Sequence, residues 1–284
     1  MRRCLDRVWL VIFWASGLFI LLVLLSILMY LIWRGGSALS LEFICGYPRG
    51  FPRGSQGGVF PAIKGTFYLV LIALVAAGIP GIITAIYLTE YGMQSRLKGI
   101  INLSIQCLAG IPSIITGLFV YALLVVHMKW GLCLLAGGFA LGVMILPVIV
   151  VTSRDAFLAV DINYRLLGAS MGVSRGYMFR RVIFPQSVPA VLSGLLLAMG
   201  YAAGATAPIM VTAAVISSNS SGSWFEPVMA LPYHLYILFN EHISMNKAYG
   251  TALLLVLLLV LVNVAALWIR SWQGRDLHNG FVHK

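Results

Sequence analysis

The chain has 284 residues, of which 61% are hydrophobic and only 10% charged, with a formal net charge of +11. A soluble domain carries about a quarter charged residues, so this composition excludes a soluble enzyme, a disordered chain and a disulfide scaffold. Its four cysteines (Cys4, Cys45, Cys107, Cys133) lie in separate segments without CxxC spacing, which points to apolar packing rather than a disulfide framework or zinc site.

Uncharged stretches set the organisation. Val8–Trp33, Gly65–Thr89, Gly99–Met128 and Trp130–Ser153 each exceed the roughly 20 residues needed to cross a bilayer, and Lys247 and Arg270 bracket another. The longest uncharged run, Val182–Phe225, reads as one helix near Val188–Val215 followed by an exposed, turn-prone loop at Ser217–Ser223. The expectation is an all-α polytopic membrane protein with six spans. Arginines ahead of the first span imitate a signal peptide, but its length and the lack of a small-residue cleavage pattern predict a retained anchor.

Lysine and arginine set the orientation. Arg2, Arg3, Arg7, Arg96, Lys98, the arginines from Arg154 to Arg181, and Arg270, Arg275 and Lys284 fall on one side of a six-span chain. The positive-inside rule places that side, with both termini, in the cytoplasm. Topology thus explains most of the positive charge; membrane lipid is the expected surrounding and no nucleic-acid partner is predicted. On the other side, Arg34–Lys64 is Gly/Pro-rich and reads as irregular. Ser217–Lys247 carries Trp224, Phe225, Tyr233, Tyr236 and Phe239, either an interface belt or a docking surface.

The spans carry punctuation. Gly78-Ile-Pro80-Gly81, Gly110-Ile-Pro112-Ser113, Pro147 and Pro208 predict kinks that free carbonyls. Gly138xxxGly142 and Gly200xxxGly204 allow backbones to approach closely.

The predicted cytoplasmic connection Arg154–Pro185 is long enough to fold. Ala156, Phe157, Val160, Tyr164, Leu167 and Met171 recur at helical spacing, Gly172 interrupts, and a second helical piece runs through Phe179-Arg180-Arg181 into the fifth span. Gly172 is followed by nine residues, then Val182 and Pro185, and Gly172-Val173-Ser174-Arg175 forms a glycine–small–serine–arginine turn. This pattern resembles the EAA loop of ABC-importer permeases. The resemblance implies a MetI-like permease fold in which Arg165, Ala169, Gly172, Ser174, Arg175, Val182 and Pro185 belong to a coupling helix seated in a cytoplasmic ATPase.

Further segments resemble the PstA-type permease of phosphate importers. They are Gly57-Gly58-Val59 with Gly65-Thr66, Ala85–Tyr91, Ala109–Phe119, Gly204–Pro208 and Leu231–Tyr236, collinear over roughly residues 55–270. The resemblance implies half of a two-permease pore in a bacterial inner membrane. It also implies a PstC-like second permease, an ABC ATPase dimer and an external solute-binding protein as partners. On this reading the chain divides into 1–64, the first span and outer loop; 65–270, the permease core; and 271–284, a cytoplasmic tail. The sequence departs from the family at Leu166, where glutamate is usual, at Tyr201 and Ala205, which stand where the family has arginine and glutamate, and at Asp161, where proline is common. An anion would therefore meet hydroxyls and freed backbone groups, with Ser113, Thr116, Tyr201 and Thr206 as candidates beside half-helix N-termini near Pro112 and Pro208.

Other function classes lack their residues. None of the five lysines (Lys64, Lys98, Lys129, Lys247, Lys284) follows a glycine as a Walker A loop requires, so ATP belongs on a partner and no cofactor is expected here. The histidines show no HExxH spacing, and the spans hold no carboxylate of the kind that ion-coupled carriers use. A non-transporting or different-substrate paralogue that assembles with a transporter, or a secondary carrier, remains the alternative.

Overall fold

The structure is a computed structural model that describes residues 2–50, 56–92, 95–215 and 223–279. It is helical almost throughout, and long apolar runs with few charges leave the backbone no better way to satisfy its own polar groups. In chain order the helices are α1 (Arg2–Gly35), α2 (Leu41–Cys45), α3 (Phe60–Ile86), α4 (Arg96–Gly110), α5 (Ser113–Val120) and α6 (Leu134–Leu158). They continue as α7 (Ile162–Ser170), α8 (Arg175–Met178), α9 (Phe184–Gly204), α10 (Ala207–Thr212), α11 (Leu231–Asn240) and α12 (Met245–Asn279). A short antiparallel pair, β1 (Pro48–Arg49) and β2 (Gln56–Gly57), sits before α3.

Among the described residues five helices are long and apolar enough to cross a membrane, and the bent pair α4–α5 makes six. That pair bends by 104° at Ile111-Pro112, so the predicted third span is two pieces rather than one rod. Pro112 takes φ −55° and ψ 135°, lacks an N–H, and cannot carry the α4 hydrogen-bond ladder onward. The predicted helix at Val188–Val215 is also corrected. Helix starts earlier, at Arg175, and α9 stops at Gly204, with extended backbone at Ala205 before α10 resumes. Pro208 stands at the second residue of α10, where its missing N–H costs no helical hydrogen bond, so it marks the restart after the break and not the break itself. Pro80, Pro147 and Pro189, by contrast, lie inside unbroken helices. The predicted loop at Ser217–Ser223 lies, apart from Ser223, outside the described residues.

The core is the packing of α3 on α6. Leu69, Ala73 and Ala77 meet Leu141, Ile145 and Ile149, all nearly inaccessible. Gly138 and Gly142 let the backbones approach: a Cβ on Gly138 would lie 2.6 Å from Ile72 Cβ, and one on Gly142 3.4 Å from the Ala73 carbonyl oxygen. This is the close contact that the Gly138xxxGly142 spacing predicts. The Gly200xxxGly204 pair does not behave alike, since a Cβ on Gly204 would meet nothing within 4 Å.

The far end of α3 from its last turn is closed by a second cluster. Phe43, Val59, Ala62, Met229 and Leu231 bury one another there. Thr66 donates to the Ala62 carbonyl (2.8 Å) and accepts from the Leu231 amide (2.9 Å), pinning the start of α11 against α3. Gly65 sits at the same seam, where an added Cβ would strike the Met229 carbonyl oxygen, an atom of the backbone that cannot rotate away. Gly65→Ala should therefore destabilise the chain by at least about 1–2 kcal/mol. Gly99→Ala, in an open stretch of α4, should instead stabilise by up to about 1 kcal/mol. Thermal unfolding in detergent measures both, and equal effects would refute the seam.

Candidate functional site

Two regions carry the predicted site residues. The first is built by the broken helices. The short halves α5 and α10 pack on one another, and a Cβ on Gly117 would lie 2.7 Å from Pro208 Cα. Beside them opens a cavity of about 800 Å³, lined by Leu108, Ala109, Ile111, Ser113, Thr116, Met144, Pro147, Val148, Val151, Thr152, Gly200, Tyr201, Gly204 and Ala205. Ser113, Thr116 and Tyr201 thus converge on one space although 88 residues separate the first from the last. Thr206 does not join them. It lines another cavity, of about 440 Å³, with Leu31, Pro232, Leu235, Tyr236 and Tyr249 among its walls. The break at Ala205 turns the chain between Tyr201 and Thr206, a rotation that helical spacing could not foretell.

No lining residue of the larger cavity is charged. Its polarity comes from hydroxyls and from the opening of α5. The first amides of α5 to bond back are those of Ile115 and Thr116, both onto the Pro112 carbonyl, so the Ser113 and Ile114 N–H groups precede the ladder. Thr152 uses its hydroxyl internally, donating to Val148 (2.8 Å). The Ser113, Thr116 and Tyr201 hydroxyls make no such bond among the described residues, which leaves them available to a solute.

The second region is the loop between α6 and α9. Here α6 runs past Arg154 to Leu158, so Ala156 and Phe157 belong to its last turn and not to the loop helix that their spacing predicts. The charge marks the edge of the apolar stretch, not the end of the helix. Asp161 then caps α7, accepting from the Asn163 amide at 2.9 Å, which gives a role to a residue that stands where proline is common in the family. Gly172 has φ +70°, a left-handed geometry that a side chain would strain, and Ser174 caps α8. Beneath the loop, Ala85, Ala156, Phe157, Val160, Phe179, Ile183 and Val191 form a closed cluster, with Phe157 and Phe179 edge to face at 5.4 Å.

Ala169, Gly172, Ser174 and Arg175 lie on the exposed surface of this loop, as does Pro185 where the chain enters α9. Val182 is half-buried. The loop also exposes Ile162, Leu166, Leu167, Met171 and Tyr177, so the place of the missing glutamate is an apolar, outward-facing leucine.

Arg165 faces inward. Its Nη2 donates to Glu90 Oε1 and to the Phe157 carbonyl, both at 2.9 Å, and its Nη1 donates to the Val160 carbonyl at 3.2 Å. Glu90 is only 7% exposed and sits in a π-helical turn, Tyr87–Tyr91, that continues α3. Sequence reasoning missed Glu90 because it lies 75 residues away. The one available signal was a carboxylate closing a long uncharged span.

At the opposite end of α3, Lys247 donates to the Gly57 carbonyl at 2.9 Å. His234 of α11 is 3% exposed, and its Nδ1 has no hydrogen-bond partner. Desolvation by burial, aided by the charge of Lys247, lowers its pKa to about 4. Nearby, Trp224, Phe225, Tyr236 and Phe239 are exposed, while Tyr233 stacks on Tyr236.

The chain as a whole is similar to known proteins. Residues 81–279 match the family "binding-protein-dependent transport system inner membrane component". Phosphate transport system permease protein PstA 2 of Mycobacterium bovis is 31% identical over 229 residues, covering 78% of this chain and 76% of the relative. PstA 1 of Mycobacterium tuberculosis is 30% identical over 273 residues, covering 95% and 90%. In structure, a chain of the inward-facing MetNI methionine ABC transporter superposes with a TM-score of 0.59 at 18% identity, over 76% of this chain and 94% of that one. The likeness shows a shared fold. The chain therefore belongs to the family of binding-protein-dependent transport system inner membrane components and, within it, to the PstA permeases.

Proposed function

We propose that this chain is the permease subunit of an ATP-driven phosphate importer, forming one half of the translocation pathway in a bacterial inner membrane. The substrate is that of its relatives, phosphate transport permeases. The observation that carries it to this chain is the 800 Å³ cavity, where unpaired hydroxyls meet the first turn of α5 and no carboxylate is present to repel an anion. Free N–H groups at a helix start and hydroxyl donors suit a phosphate oxyanion. They hold it without the tight charge pairing that would hinder release.

The α7–α8 end faces the cytoplasm in this reading, as the positive-inside rule directs, and both termini share that side. The exposed apolar residues of the loop, Leu166 and Met171 among them, form the surface on which a separate ATPase dimer docks and where ATP is bound. A PstC-like permease supplies the other half of the pathway, and an external binding protein delivers phosphate to the α2–α11 end.

Uptake of radiolabelled phosphate into proteoliposomes holding the assembled complex tests this. Ser113→Ala and Thr116→Val should each reduce uptake about 10-fold, the loss of one hydrogen bond to a charged group, with the ATPase still bound. Unchanged uptake in both would remove the cavity from the pathway. No uptake by the unaltered chain, with a gain in Tyr201→Arg/Ala205→Glu, would mark a non-transporting paralogue instead.

A further inference from the structure

We propose that the π-helical turn Tyr87–Tyr91 is the fixed half of the coupling device, with Glu90 clamping Arg165 so that the α7–α8 hairpin and α3 move as one body. The proposal rests on the transport reading above and names the residue through which the loop acts on the spans.

The loop needs such a clamp. Helices of nine and four residues are too short to hold themselves. Within α7 only Gly168 is buried, and none of α8 is. A push from a docked partner would be absorbed by bending unless something stiff ties the loop to the bundle. Arg165 does so in three directions, with Glu90 from the end of α3 and the carbonyls of Phe157 and Val160 from the end of α6. Burial of Glu90 keeps water and salt from loosening the pair.

The second arm reaches the same turn. A Cβ built on Gly176 of α8 would lie 3.5 Å from the Tyr91 hydroxyl, next door to Glu90. Both arms of the hairpin thus rest on five residues that continue α3. From there the connection to the pathway is direct. The α3 helix packs along α6, and α6 contributes Met144, Pro147, Val148, Val151 and Thr152 to the cavity. Arg165 and Glu90 touch no solute; they are positioning residues.

The test uses the complete complex (permeases, ATPase and binding protein) in proteoliposomes, reading phosphate moved per ATP hydrolysed. Glu90→Gln should let the ATPase copurify while that ratio falls about 10-fold. A second variant joins the turn to the hairpin through Tyr91→Cys and Gly176→Cys, bridged by a short crosslinker after the four native cysteines are replaced by serine. Because the two parts move together, the bridge should leave the ratio close to its unbridged value. An unchanged ratio in Glu90→Gln, or transport stopped by the bridge, overturns the proposal. If Glu90→Gln fails to assemble, the bridged variant decides. Absence of uptake by the unaltered complex overturns the transport reading first and this one with it.

Discussion

Arg165→Met should destabilise the folded chain by about 3–5 kcal/mol, the cost of leaving a buried charge without its partner. The charge in question is Glu90, 7% exposed and paired with Arg165 at 2.9 Å. The Phe157 and Val160 carbonyls, at the end of α6, lose their donors at the same time. Glu90→Gln should cost less, because Arg165 is partly open to water, keeps both carbonyl bonds and still finds an amide oxygen. The pair Glu90→Gln/Arg165→Met should recover part of the loss, since the second change removes the stranded charge. Thermal unfolding of the purified chain in detergent separates these variants. Equal losses in the two single variants would show that the carboxylate is not held where its burial requires a counter-charge.

How much of this was legible in the sequence depends on the range over which each feature is encoded. The coupling loop was readable because its determinants are local. Gly172 must adopt positive φ, and the spacing to Val182 and Pro185 counts residues along a single turn and helix. Ser113 and Thr116 were readable as a pair for the same reason, three positions apart on α5. The breaks at Pro112 and Pro208 were marked by proline, but the sequence does not distinguish them from Pro80 or Pro147, which helices absorb. The difference lies in what surrounds them. Pro147 is buried within α6 where α3 packs, whereas Pro112 is exposed, and α5 and α10 pack on each other at Gly117 and Pro208. Thr206 was misplaced because its direction depends on the break before it. Glu90 and His234 were out of reach, since each owes its character to burial by distant segments.

His234 gives the second large effect, and it depends on pH. In the unfolded chain its pKa is about 6.5, and in the folded chain burial lowers it to about 4. The folded value is the lower one, so between them the unfolded chain binds the extra proton and stability is lost as pH falls. Above about pH 7 the histidine is neutral in both states and contributes nothing to the slope. A shift of this size is worth about 3 kcal/mol once pH has fallen to about 4. Lys247, in the first turn of α12, adds to the penalty, because a protonated imidazole would face its ammonium group. The Nδ1 without a partner means no carboxylate or carbonyl waits to receive the proton. Unfolding followed at pH 7 and pH 5 should show the unaltered chain losing stability and His234→Leu losing markedly less over the same interval. Parallel losses in the two would place the acid sensitivity elsewhere. The consequence is structural: His234 sits on α11, whose first amide is held by Thr66 of α3. Acidification would therefore loosen the end of the bundle to which, in the transport reading, phosphate is delivered.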